Sequence, residues 1–143
     1  MAVIGTIAVG FDGSVSSDGA LGWAIDLAMQ TGASLVVVHA LGLLGHSGDP
    51  TDAFVLEESM LQLVQEHQFP VSRIRWCPME GDPCTVLLGA AEAPLCADLV
   101  VVGSRGRGMH AGMLLGSTSA ELVQHSRIPI LIVPDNGQDP GLG

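Results

Sequence analysis

Residues 3–14 read VIGTIAVGFDGS. Val3 to Val9 is a short run of nearly continuous apolar character, which predicts a strand buried on both faces, as in a parallel sheet. Gly10-Phe11-Asp12-Gly13-Ser14 then breaks the strand. Ser16, Ser17 and Asp18 offer capping oxygens. Ala20, Leu21, Ala24, Leu27 and Ala28 recur at helical spacing up to Gly32, which suits the residue just past a helix end. One strand, one loop and one helix are therefore legible in the first 32 positions.

The same unit repeats outward from this start. Leu35 to Ala40 is a second buried-strand pattern. It is followed by a glycine-bearing loop, Gly42 to Thr51, and by a helix with Leu56, Met60, Leu63 and Val64 as its apolar stripe. Glu57, Glu58 and Glu66 give that helix a wet face, and Phe69-Pro70 ends it. Val71 to Met79 predicts a third strand, with Ile74 and Trp76 on one side and Arg73 and Arg75 on the other. Asp82-Pro83 sets a capping acid before a first-turn proline, predicting a helix from Pro83 to about Ala93. Leu99 to Val102 is a fourth strand, Ser117-Thr118-Ser119 opens a fourth helix carrying Ala120, Leu122 and Val123, and Pro129 to Val133 is a fifth strand. Strict alternation of this kind implies an α/β fold: a single-domain, three-layer sandwich in which a five-stranded parallel sheet carries helices on both faces. Residues 1–134 form the expected domain, and 135–143 read as a frayed tail. Ligands of such sheets bind outside the carboxyl ends of the strands, where the winding reverses. That directs attention to the loops after strands one and four.

Composition narrows the chemistry. A chain of 143 residues is the size of one domain, and with 48% hydrophobic and 14% charged residues it has the means to fill a core. Its net charge of −10, from 15 acids against 5 bases, repels nucleic-acid phosphates, so nucleic acid is excluded as an expected partner. The bases are all arginines, namely Arg73, Arg75, Arg105, Arg107 and Arg127. With no lysine, a phosphate-loop lysine and Schiff-base chemistry are both ruled out. Cys77, Cys84 and Cys96 are spaced for neither a disulfide framework nor a zinc site and read as reduced, mostly buried thiols. The amino terminus lacks a basic leader region, and no apolar run nears the roughly 20 residues of a membrane span. A soluble, cytoplasmic protein without a membrane partner is expected.

The loop after strand four reads Gly103-Ser104-Arg105-Gly106-Arg107-Gly108-Met109-His110-Ala111-Gly112-Met113-Leu114-Leu115-Gly116-Ser117. A phosphate chain needs inward-pointing backbone N–H groups without intervening side chains, and glycine permits both the close approach and the unusual φ angles. A helix starting at Ser117 adds free amides and the positive end of its dipole, and the Ser117 and Thr118 hydroxyls add donors.

The spacing Gly103-x2-Gly106-x9-Gly116-Ser117 resembles the nucleotide motif of the ATP-binding branch of the universal stress protein family. The resemblance extends to Val9-Gly10-Phe11-Asp12-Gly13-Ser14, Val38-His39-Ala40, Gly81-Asp82-Pro83 and Pro129 to Pro134, covering about residues 3–134. It implies a strand order of 3-2-1-4-5, bound ATP with Mg²⁺ or Mn²⁺, and a homodimer built along the last strand. Gly10 and Asp12 would then touch the adenosine, the backbone of Ala40 the adenine, Val102 and Gly103 the ribose, and Gly106, Gly116, Ser117 and Thr118 the phosphates. Gly10 replaces the proline of some relatives, and Ala40 replaces a frequent valine.

Several residues carry two readings. Asp12 suits either a ribose hydroxyl or adenine amine, or else a local Asp-Gly turn. Arg105 and Arg107 either meet the triphosphate or point to solvent. His39, at the end of a buried strand, reads as a satisfied core histidine rather than a ligand, while His110 stays open. Met109 and Met113 are core or lid. The expected function is a regulatory ATP-binding module of the stress response without catalytic residues. The alternatives are a slow ATPase or nucleotidyl-transfer enzyme at the same site, with Asp12 and His110 as its proton acceptors, and a related α/β domain that binds flavin or adenosine without phosphates.

Overall fold

The computed structural model describes residues 3–41, 50–105 and 115–134. Five strands form one parallel sheet: β1 (Thr6–Gly10), β2 (Ser34–Leu41), β3 (Ile74–Glu80), β4 (Leu99–Gly103) and β5 (Ile130–Val133). Their order is β3-β2-β1-β4-β5, the order that the resemblance implies. Four α-helices alternate with them, α1 (Val15–Thr31), α2 (Pro50–Glu66), α3 (Pro83–Gly89) and α4 (Ser117–His125).

Strand periodicity explains the layers. Odd-numbered Ile7, Val9, Leu35, Val37, Leu99 and Val101 pack with Leu21, Ile25, Met60 and Val64 of α1 and α2. Even-numbered Ala8, Val36, Val38, Val100 and Val102 pack with Cys84, Val86, Leu87 and Leu122 of α3 and α4 on the other face. Side chains of a strand point alternately to opposite faces, and both faces are covered here, so the strands must be apolar throughout. The winding reverses between β1 and β4. These neighbours are paired in register from Ile7↔Leu99 to Val9↔Val101, and their carboxyl ends open side by side.

The larger differences from the sequence reading fall at four element ends. β1 starts at Thr6, and Val3 is 80% exposed. α1 is capped by Ser14, whose side chain accepts from the Ser17 amide, while Ser16 and Ser17 lie buried within its first turn. The third strand begins only at Ile74, after a 3₁₀ turn over Val71–Arg73. That turn places the Arg73 guanidinium over the Phe69 ring and against the carbonyl oxygens of Ala28 and Ala33. α3 ends at Gly89 instead of near Ala93. Gly32 does close α1, at φ 77° with its amide on the Ala28 carbonyl, and Asp82 does cap α3. The cysteines are free, but only Cys84 is buried; Cys77 is half-buried and Cys96 exposed. Among the described residues no helix is long and apolar enough to cross a membrane.

Candidate functional site

The carboxyl ends of β1 and β4 meet the amino ends of α1 and α4. After β1 the chain turns sharply. The Phe11 amide donates to the Val38 carbonyl at 2.9 Å, the Asp12 amide donates to Ser17 Oγ at 3.3 Å, and the Ser14 amide donates to Asp12 Oδ1 at 2.9 Å. Asp12 thus makes the local turn that one of its two readings required. Asp18, half-buried in the first turn of α1, is held above the usual carboxylate range by burial and secondarily by the negative charge of Asp12.

After β4 the chain is strapped to both helices. Ser104 donates its amide to the Val133 carbonyl at 3.0 Å and accepts at its own carbonyl from the Gly116 amide at 2.7 Å. Ser119 Oγ donates to the Gly103 carbonyl at 2.8 Å, and the Arg105 amide donates to Ser16 Oγ at 3.2 Å. These bonds hold the start of α4 beside the end of β4. Gly116 caps α4 in extended conformation and has no side chain to satisfy the first amides of the helix. Those N–H groups carry the positive end of the helix dipole.

Of the expected site residues, Gly10, Asp12, Val102, Gly103, Gly116, Ser117 and Thr118 lie around this junction of β1, β4 and α4. Ala40 lies at the end of β2, in register with Met79. Gly106, Arg107, His110, Met109 and Met113 lie outside the described residues. Gly10 answers to packing. A Cβ there would stand 3.1 Å from Leu87 Cδ1 and 3.3 Å from Val102 Cγ1. The Val102 side chain is buried against the α3 and α4 layer. Ser16 and Ser119, which tie the two loops together, did not stand out in sequence beyond being members of hydroxyl-rich helix starts. His39 is buried, with Nδ1 3.0 Å from the Phe11 carbonyl oxygen, as a satisfied core histidine should be.

Comparison with known proteins bears on the family and the fold. A family model described as the universal stress protein family matches residues 4–134. Universal stress protein Rv2623 of Mycobacterium tuberculosis H37Rv is 32% identical over 137 residues, which are 91% of this chain and 45% of that relative. Rv2005c of the same strain is 35% identical over 136 residues, 88% of this chain and 44% of that one. The chain thus spans a little under half the length of these curated relatives. Among solved structures, a universal stress protein in complex with cAMP is 30% identical with a TM-score of 0.74, covering 92% of this chain and 98% of that one. UspA from Lactobacillus plantarum, at 21% identity and TM-score 0.76 over 93% of this chain and 99% of its own, shares the fold.

Proposed function

The chain belongs to the universal stress protein family, and on that premise we propose that it is a regulatory module of the stress response that binds an adenine nucleotide, ATP in the first instance, across the carboxyl ends of β1, β2 and β4. The observation that carries this reading is the start of α4, drawn to the end of β4 by the 2.7 Å bond from the Gly116 amide to Ser104 and left without a side-chain cap. It sits at the reversal of winding, the position at which doubly wound sheets take their ligands. Phosphates would rest on the amides following Gly116, with the Ser117 and Thr118 hydroxyls and the glycines beginning at Gly106. Gly10 and Asp12 would meet the adenosine, the backbone of Ala40 the adenine, and Val102 and Gly103 the ribose.

A specific observation favours cAMP as a second ligand for the same cleft: the relative of 30% identity was solved with it. ATP and cAMP share the adenine and the ribose 2′-hydroxyl, whereas cAMP closes its single phosphate onto the 3′ oxygen, so the contacts that serve both are those to the base and the 2′-hydroxyl.

Charge bears on the metal. A triphosphate approaching a chain of net charge −10 is repelled within a Debye length of about 8 Å at physiological salt. Among the described residues no group of three or more His, Cys, Asp or Glu could hold a metal ion. Mg²⁺ or Mn²⁺ would therefore rest mainly on phosphate oxygens and water, with the Ser117 hydroxyl as a further ligand, and would supply the missing positive charge. Two experiments test the reading. Mass analysis of purified, denatured protein should find a released adenine nucleotide. Thermal melts with ATP should rise with Mg²⁺ and rise less with excess chelator; an equal rise in both removes the metal.

A further inference from the structure

We infer that His39 is a positioning residue of the nucleoside half of this site, holding Asp12 in place through the backbone of Phe11; the inference rests on the nucleotide reading given above. Phe11 is fastened to β2 at both of its backbone groups. Its amide donates to Val38 at 2.9 Å, and its carbonyl lies 3.0 Å from His39 Nδ1. A carbonyl oxygen only accepts, so Nδ1 carries the proton.

The imidazole cannot easily swing away. It stacks on Trp76 with ring centroids 5.8 Å apart and 12° between planes, and Phe11 meets the same indole edge-on at 6.3 Å and 77°. His39 is 9% exposed and Phe11 3%, so water has little access to replace the lost bond. Asp12 follows Phe11 directly, and its carboxylate position is passed on through the Ser14 amide. A core histidine needs only a partner. This one has as its partner the last backbone carbonyl before the residue expected to meet the nucleoside.

Two variants separate positioning from packing. His39→Leu keeps apolar volume but removes the donor. His39→Asn carries an N–H donor near the position of Nδ1 but loses the stack on Trp76 and leaves empty space, so it should melt lower than the leucine variant. Positioning predicts the opposite ranking for affinity: calorimetry should give His39→Asn within about threefold of the unaltered protein, and His39→Leu weaker by about tenfold for adenosine and ATP alike. Affinity that follows melting temperature, or an unchanged affinity in His39→Leu, overturns the inference. Amide exchange at Ser14 gives a readout without ligand: it should quicken in His39→Leu and stay near the unaltered rate in His39→Asn. Should the unaltered protein bind no adenine compound, the nucleotide reading falls by itself, and unchanged Ser14 exchange in His39→Leu overturns the clamp separately.

Discussion

Gly103 and Ser16 meet backbone to backbone: a Cβ built on Gly103 would stand 2.7 Å from the Ser16 carbonyl oxygen and 2.9 Å from its carbonyl carbon. The first turn of α1 therefore presses on the last residue of β4, and the Arg105 amide reaches Ser16 Oγ from the same junction. Backbone cannot yield as a flexible side chain does. Gly103→Ala is expected to destabilise the protein by about 1–3 kcal/mol through overpacking. Gly19→Ala is the control, because its added Cβ meets nothing within 4 Å and alanine is the better helix former. It should stabilise by roughly 0.5–1 kcal/mol. Urea denaturation of both variants checks the signs, and equal effects would remove the close approach as the reason for glycine at 103.

The cap of α1 makes a second prediction. Ser14 accepts from the Ser17 amide at 3.1 Å, and its own amide is bound to Asp12. Ser14→Ala should lose about 1 kcal/mol of stability, whereas Ser14→Asp should keep most of it. A Ser14→Ala variant as stable as the unaltered chain in denaturant titration would show that the cap is replaceable.

Much of this architecture was legible because it is local or periodic. The alternation of strands and helices, the apolar strands, Gly32 as a helix end and the Asp82-Pro83 helix start all follow from neighbours in sequence. The strand order came with the resemblance and is the one observed. Long-range contacts were not legible. Nothing adjacent to Arg73 in sequence shows that it reaches Ala28 and Ala33, contacts that accompany the later start of β3. Ser14 was obscured by the richer run Ser16-Ser17-Asp18, and only its extended backbone, ψ 159°, decides the cap. At the site, glycine at 103 suits phosphate approach and ribose contact in sequence, yet the packing against Ser16 already requires it. His39 read correctly as a core residue, but its partner on Phe11, 28 positions away, was invisible.

Acid should test the cap of α3. Asp82 is held below the ordinary carboxylate range chiefly by the Thr85 hydroxyl at 2.6 Å and then by the Thr85 amide. A folded value below the unfolded one stabilises above the unfolded pKa, and that contribution is lost as pH falls through the folded value. Thr85→Val removes the hydroxyl donor. Its stability deficit relative to the unaltered protein should shrink as pH falls from about 5 toward 1. A gap constant over that range would assign the loss to packing.

The edge of the sheet makes a prediction about assembly. β5 is the last strand in the order, and Ile130, Leu131 and Ile132 are only half-buried there. Among the described residues only β4 pairs with it, and an apolar strand edge of that kind invites a second copy across a two-fold axis. Sedimentation should show a dimer at micromolar concentration and a monomer for Leu131→Lys. An unaltered protein that sediments as a monomer removes the dimer.

The proposed nucleotide site is tested most directly by calorimetric titration of the unaltered protein, Asp12→Ala and Gly116→Val with ATP, cAMP and adenosine in the presence of Mg²⁺. The account predicts binding of ATP by the unaltered protein, a loss in Asp12→Ala by a similar factor for ATP and adenosine, and a loss in Gly116→Val concentrated on ATP, with the fold intact by circular dichroism. Unchanged ATP affinity in Gly116→Val, or no heat from any adenine compound with nucleotide-free unaltered protein, would contradict it.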